Sequence, residues 1–171
     1  MLMNLVIMRH GQAESRNRYH DSDADRNLTD EGIEKLKKFM TIINPWFPKP
    51  ENIVISPTRR TQQTAEILCN ILKISPLTIL TNPLILNGSA GEIISFLQEE
   101  PLPENLWIIG HQPTLGQFLC ALIGLDVFKG FQFKPGDCAC IEFPGKPGAN
   151  QGRLISYASP DLTERFLDKE L

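Results

Sequence analysis

No stretch of this chain is long and apolar enough to make a membrane-spanning helix, which excludes the α-helical membrane proteins. An excess of positive charge is missing as well. The formal net charge is -3 and the pI is near 5.6, so nucleic-acid binding driven by bulk charge is excluded, while a local basic pocket is not. No basic segment followed by a short apolar one opens the chain, and Met1 leads almost directly into the first apolar run. The expectation is a cytoplasmic protein without membrane or nucleic-acid partners. The pattern GxxxxGK followed by serine or threonine is absent, and no GxGxxG follows the first apolar run, so neither a P-loop nor a dinucleotide fold has its fingerprint. No CxxC pair occurs among the four cysteines, Cys69, Cys120, Cys138 and Cys140. They read as buried reduced thiols, and the last two, spaced by one residue in an alternating segment, fall on one face of a strand. Asp21, Asp23 and Asp25 have the opening spacing of a calcium loop, but Arg26 stands where glycine is needed and Gly32 where glutamate is needed. Neither a metal nor a cofactor is therefore expected. There is no internal repeat and no low-complexity segment.

What the chain does contain is an alternation of short apolar runs and amphipathic stretches. Its 171 residues, 42% hydrophobic and 22% charged, fit one soluble domain over 1–171 with a sizeable core, a monomer by default. The first run, Leu5-Val6-Ile7-Met8, is apolar at every position, as a strand covered on both faces of a parallel sheet must be. Strands are predicted over 4–8, 52–55, 77–80, 106–109, 139–143 and 153–157. The last two form an antiparallel hairpin at the sheet edge, joined by the Gly/Pro-rich segment 144–152. Thr29 caps a helix running to about Ile43, with Asp30 and Glu31 at its positive end and Ile33, Leu36, Phe39, Met40 and Ile43 on one stripe. Ser56 as N-cap and Pro57 at the first position open a helix over 57–72, with Ala65, Leu68 and Leu72 inward. Further helices are predicted over 89–99, over 113–123 beginning at Pro113, and over the tail 160–171. The segment around Pro83, Asn87 and Gly88 reads as a loop. Residues 11–28 form a long polar connection, a length usually reserved for function. The pattern predicts an α/β fold: a three-layer α/β/α sandwich around a mostly parallel central sheet with an antiparallel edge strand.

The chemistry collects at the junctions. Strand 4–8 ends in Arg9-His10-Gly11, and strand 106–109 repeats the layout with Gly110-His111-Gln112-Pro113. Ligands of open α/β sheets bind at the carboxyl ends of strands. Two arginines, Arg59 and Arg60, stand in the first turn of the second helix, where the dipole disfavours cations unless an anion sits there too. Arg26 leads into the first helix. Arginines and histidines without a carboxylate cluster suit phosphate: guanidiniums neutralise the equatorial oxygens and a histidine nitrogen attacks in line.

Arg9-His10-Gly11 after an apolar strand resembles the RHG signature of the histidine phosphatase (phosphoglycerate mutase-like) superfamily. Ile55-Ser56-Pro57-x-x-Arg60-Thr61-x-Gln63-Thr64 resembles that family's SPxxRxxQT helix, and Gly110-His111 with Pro113 its second histidine motif. Three motifs in order across residues 5–116 are far more specific than any one alone. The short chain and Arg26-x-Leu28-Thr29 are similar to the compact SixA-type phosphohistidine phosphatases. The resemblance implies a phosphoglycerate mutase-like fold, with His10 as the nucleophile carrying a phosphohistidine intermediate. It implies that Arg9 and Arg60 clamp the phosphate, that Arg26 joins them, and that His111 completes the pocket. Gly11 permits the close turn, and Gln12 and Ser15 are candidate substrate contacts; Arg59 holds a variable position and faces solvent.

Superfamily members acting on phosphate esters place a general acid between the arginine helix and the second histidine. Here residues 82–89 contain none, and Glu92 falls inside the next helix, leaving Asp21, Asp23 and Asp25 as loop alternatives. An alkoxide must be protonated as it leaves, whereas an imidazole leaves with less help. The expected function is hydrolysis of phosphohistidine on a protein, such as a histidine phosphotransfer domain in signal transduction. The alternatives are a phosphomonoesterase acting on a small metabolite or nucleotide, and a phosphate-binding regulatory domain.

Overall fold

The structure, a computed structural model, describes residues 2–15, 22–126 and 131–167. The strands are β1 (Met3–Arg9), β2 (Asn52–Ile55), β3 (Ile79–Thr81), β4 (Asn105–Gly110), β5 (Cys138–Phe143) and β6 (Arg153–Ala158). They form one sheet in the order β3-β2-β4-β1-β5-β6. The pairs β1–β4, β2–β4 and β2–β3 are parallel, while β5 runs antiparallel to both of its neighbours. The odd strand is thus the inner member of the edge hairpin, with β6 outermost.

The uninterrupted apolar character of β1 has the cause expected of it. Leu5 and Ile7 pack on one face with Val54, Leu106, Ile108 and residues of the helices α3 (Leu84–Asn87), α4 (Ala90–Glu99) and α5 (Thr114–Ile123). Val6 and Met8 pack on the other with Trp107, Ile109 and the helices α1 (Asp30–Ile43) and α2 (Arg59–Leu72). All four β1 side chains are fully buried, each worth about 1.5–3 kcal/mol against exposure. The core therefore lies in two layers, with the sheet between helices on both sides. The four cysteines are free thiols and buried, Cys138 and Cys140 on the same face.

The element boundaries differ from expectation in several places, each for a local reason. Helix α2 begins at Arg59 with Thr58 as its N-cap, two residues later than the Ser56-Pro57 signature suggested, because the Ser56 hydroxyl is engaged elsewhere, as described below. Helix α5 begins at Thr114, with Pro113 as its N-cap. Residues Pro76–Thr78 form a 3₁₀ turn capped by Ser75, which moves the edge strand β3 to Ile79–Thr81. The segment read as a loop contains the one-turn helix α3, entered through Asn82, whose side chain accepts from the Leu84 N–H at 2.9 Å. Helix α6 (Pro160–Leu167) follows β6; the expected continuation over 168–171 lies outside the described residues, as does Asp21. The long connection after β1 is closed at its base by backbone bonds from Thr29 N–H to Gln12 O (3.0 Å) and from Glu14 N–H to Asn27 O (2.9 Å). It contains an unforeseen 3₁₀ turn, Asp23–Asp25, capped by Ser22.

Candidate active site

Strand pairing brings the two histidines together. Arg9 on β1 lies opposite Gly110 on β4, so the residues that follow, His10 and His111, leave adjacent strand ends side by side. The chain leaves β1 toward β2 on one side and leaves β4 toward β5 on the other, and such reversals open a crevice at the carboxyl edge. The His10 N–H donates to Gly110 O at 3.1 Å, which ties the two ends. The ring centroids lie 5.0 Å apart, and both residues are buried.

His10 Nδ1 lies 2.7 Å from Gly11 O. A carbonyl only accepts, so the proton is on Nδ1 and the lone pair on Nε2. Arg60 Nε donates to that Nε2 at 3.3 Å. Burial pushes the His10 pKa down to about 3, aided by His111, Arg60 and Arg9 and opposed by the Gly11 hydrogen bond. His111 is likewise pushed down to about 4 by burial and by Arg60. Both imidazoles are neutral at pH 7, and a neutral His10 is the form with a nucleophilic nitrogen.

Hydroxyl groups fix His111. Thr61 Oγ1 lies 2.7 Å from Ser56 O and 2.9 Å from Thr58 O, so its single proton goes to a carbonyl. Thr58 Oγ1, 2.9 Å away, donates to Thr61 Oγ1. The Ser56 hydroxyl then has its shortest partner in His111 Nε2 at 2.5 Å, against 3.2 Å to Thr61 and 3.4 Å to Thr58. With Ser56 as donor the His111 ring proton is on Nδ1; the same distances also fit His111 Nε2–H donating to Ser56 and Ser56 donating to Thr61 Oγ1. This is why Ser56 does not cap α2.

Arg60, buried at the start of α2, donates from one guanidinium nitrogen to Asp23 O (2.6 Å) and from another to the Asp23 carboxylate (3.0 Å). Arg26 donates from Nε and from a terminal nitrogen to the other Asp23 oxygen, at 3.0 and 2.9 Å, and from its remaining nitrogen to Glu14 O at 2.5 Å. Arg9 donates to Phe133 O at 2.7 Å. Its Nε and His111 Nδ1 are buried without a hydrogen-bond partner among the described residues. Behind Arg9 lies the buried Asp137, which accepts from the Tyr157 hydroxyl and from the Lys134 N–H. Gly11 is buried between Leu28 and Leu36, with its N–H donated to Thr64 Oγ1 at 3.1 Å. Thr64 in turn donates to Arg60 O at 2.7 Å, and Gln63 accepts from the Leu28 N–H at 2.8 Å.

The structure thus gathers Arg9, His10, Gly11, Arg26, Arg60 and His111 at one edge of the sheet. Gln12 and Ser15 are exposed beyond His10, Gln12 along a cavity of about 210 Å³ that Gly11, Lys35, Lys134 and Asp161 also line. Arg59 is exposed and borders an open cleft of about 300 Å³ with Asp25, Ser56 and Thr58. Glu92 stands at the surface in a capping box with Ser89, whose side chain and N–H both donate to it and hold its pKa below the usual carboxylate value. Sequence reasoning missed Asp23 as the partner of Arg26 and Arg60, and Asp137, whose charge opposes the lowering of the Arg9 pKa by burial. It placed Ser56, Gln63 and Thr64 in a motif without seeing what each one holds.

A family model described as the histidine phosphatase superfamily (branch 1) matches residues 5–82. An uncharacterized protein from Picosynechococcus sp. is 34% identical over 122 residues, 70% of this chain and 73% of that protein. Among solved structures, the protein histidine phosphatase SixA complexed with tungstate superposes with a TM-score of 0.79 at 22% identity, covering 94% of this chain and 99% of that one. A mycobacterial glucosyl-3-phosphoglycerate phosphatase superposes with a TM-score of 0.63 at 13% identity, covering 90% and 97%. At these identities the two structural likenesses are likenesses of fold. Among the described residues, no helix is long and apolar enough to cross a membrane.

Proposed function

The chain belongs to the histidine phosphatase superfamily, a family of phosphatases, and from that premise we propose that it hydrolyses phosphohistidine on a protein through a covalent intermediate at His10. The observation that carries the reading is the state of His10. It is a buried neutral imidazole with Nδ1 tied to Gly11 O, so that Nε2 is the nitrogen with the lone pair, and it lies near the side chains of Arg60 and Arg9. In the first step Nε2 attacks phosphorus and the P–N bond to the substrate imidazole breaks, its electron pair staying on the leaving nitrogen while the proton on the other ring nitrogen lets the imidazole depart neutral. In the second, water attacks the phosphorus on His10 and inorganic phosphate leaves. Arg9, Arg26 and Arg60 offset the charge on the equatorial oxygens in both steps, and His111 offers its Nδ1 proton to the same group. Gly11 keeps the turn after the nucleophile close, and Gln12 and Ser15, both exposed, are the proposed substrate contacts beyond it.

Among the described residues, the substrate class rests on the state of Glu92 and Asp23. Glu92 is occupied as a helix cap, and Asp23 is ion-paired with two guanidiniums, which makes it an acceptor rather than a proton donor. A leaving imidazole tolerates this better than an alkoxide. The cleft beside Ser56 and Arg59 is open, which suits the surface of a partner protein. The fold is shared with a phosphatase named for a small phosphoglycerate ester, so the test is a direct comparison. Purified protein is assayed on a phosphohistidine-bearing protein and on a panel of phosphate esters and nucleotides. The expected outcome is a kcat/KM at least about 10²-fold higher on the phosphoprotein, the scale of one missing acid. Equal or greater activity on an ester would overturn the reading.

A further inference from the structure

Asp23 holds two of the arginines assigned above to the phosphate clamp. Its two carboxylate oxygens are divided between them, one on Arg60 at 3.0 Å and the other on Arg26 at 2.9 Å. Arg60 is also the residue whose Nε reaches His10 Nε2. A guanidinium fork matches a planar two-oxygen anion as well as it matches phosphate, so the same donors serve either partner. The two arginine side chains are 5% and 14% exposed and that of Asp23 is 39%, so the carboxylate is the member with room to leave. It stands on a short 3₁₀ turn whose N-cap is Ser22.

We propose that Asp23 is a built-in competitor for the phosphate pocket: its carboxylate occupies the Arg26–Arg60 pair in the resting protein and is exchanged for the phosphoryl group on binding. This rests on the assignment of Arg26 and Arg60 to the phosphate clamp. A ligand that presents nothing but a phosphoryl group, inorganic phosphate included, has its affinity lowered by the fraction of molecules in which the pair is open. A protein substrate with contacts outside the pocket has binding energy to spare for the exchange. Asp23 is in this sense a specificity-determining residue, one that keeps free phosphate from filling the site.

The test is the affinity of inorganic phosphate, measured by calorimetric titration on the full chain, for the wild type, Asp23→Asn, Asp23→Ala and Arg60→Ala. Arg60 keeps its bond to the Asp23 main-chain oxygen in both Asp23 variants, so its placement is preserved. Phosphate is expected to bind both Asp23 variants about fivefold more tightly than the wild type, the scale of one ordinary ion pair. Unchanged or weaker binding would overturn the proposal and make Asp23 a positioning residue for Arg60. Phosphate binding that is undiminished in Arg60→Ala, or absent from the wild type and both Asp23 variants alike, would instead count against the clamp itself. A crystal structure of the wild type with tungstate gives an independent reading. The Asp23 carboxylate is expected to lie beyond ion-pairing distance of both guanidiniums, and retained ion pairs beside a bound tungstate would overturn the exchange.

Discussion

The imidazoles of His10 and His111 lie side by side, 5.0 Å between centroids, and both are held neutral by burial among arginines. Sharing a strand-end crevice is what couples them: a charge on His111 raises the cost of charging His10, and each ring has one nitrogen held by a partner of its own, Gly11 O for His10 and the Ser56 hydroxyl for His111.

This pair predicts the acid behaviour of the protein. An unfolded histidine titrates near 6.5, whereas in the folded chain the values are about 4 for His111 and about 3 for His10. Between 6.5 and 4 the unfolded state therefore binds protons that the folded state does not, and stability falls as the pH is lowered through that window. Thermal unfolding should show a Tm that declines from pH 6.5 to 4, with a smaller decline in a His10→Gln/His111→Gln double variant. Activity should carry no acid limb near pH 6.5, because the nucleophile is already deprotonated there. An inflection in kcat/KM at that pH would count against the neutral pair.

Ser56 should control His111. Its hydroxyl is 2.5 Å from His111 Nε2, and the protons of the neighbouring threonines are committed elsewhere. Replacing it with alanine removes the donor that selects the Nδ1–H tautomer, and kcat should fall by about tenfold or more, the lower range for loss of an oriented hydrogen-bonding group at a reacting anion. Nitrogen-15 NMR of the imidazoles separates this from general damage. His111 should be a single Nδ1–H tautomer in the wild type and a mixture in Ser56→Ala; an unchanged spectrum would contradict the assignment.

Gly32 should be a packing position for the nucleophile segment. A Cβ there would stand 2.3 Å from Gln12 O, because the first turn of α1 rests directly on the chain leaving His10. Gly32→Ala should cost about 1–3 kcal/mol in urea unfolding, as overpacking does. At Gly91 on α4 an added Cβ would meet nothing within 4 Å, and Gly91→Ala should raise stability by about 0.5–1 kcal/mol.

Much of the fold was legible because β1, β4 and the stripes of α1, α2 and α5 carry the periodicity that burial demands. Leu36, Phe39, Met40 and Ile43 are buried as their spacing implied, as are Leu115, Phe118, Leu119 and Leu122. The boundaries that moved are those where a side chain had a second use. Ser56 has the residue type and position of an N-cap, and only the three-dimensional neighbour His111 draws its hydroxyl away. Asn82 and Ser75 start short turns whose few residues show no period. The site's arginines and histidines could be read from Arg9, His10, Arg60 and His111, since their placement at strand ends and a helix start is itself a signal. Asp23 and Asp137 gave no such signal, because an acidic residue in a polar loop reads as solvated until the arginines it meets are known.

Everything proposed for this site turns on whether His10 carries the phosphoryl group taken from a protein histidine. The protein can be mixed with a phosphohistidine-bearing substrate labelled with ³²P, quenched in alkali within milliseconds, and the label mapped by mass spectrometry. An acid-labile, alkali-stable label on His10 should appear and decay within one turnover, with neither label nor turnover in His10→Ala. Turnover by His10→Ala at the wild-type rate, or label on any other residue of the wild type, would contradict the assignment of His10 as the nucleophile.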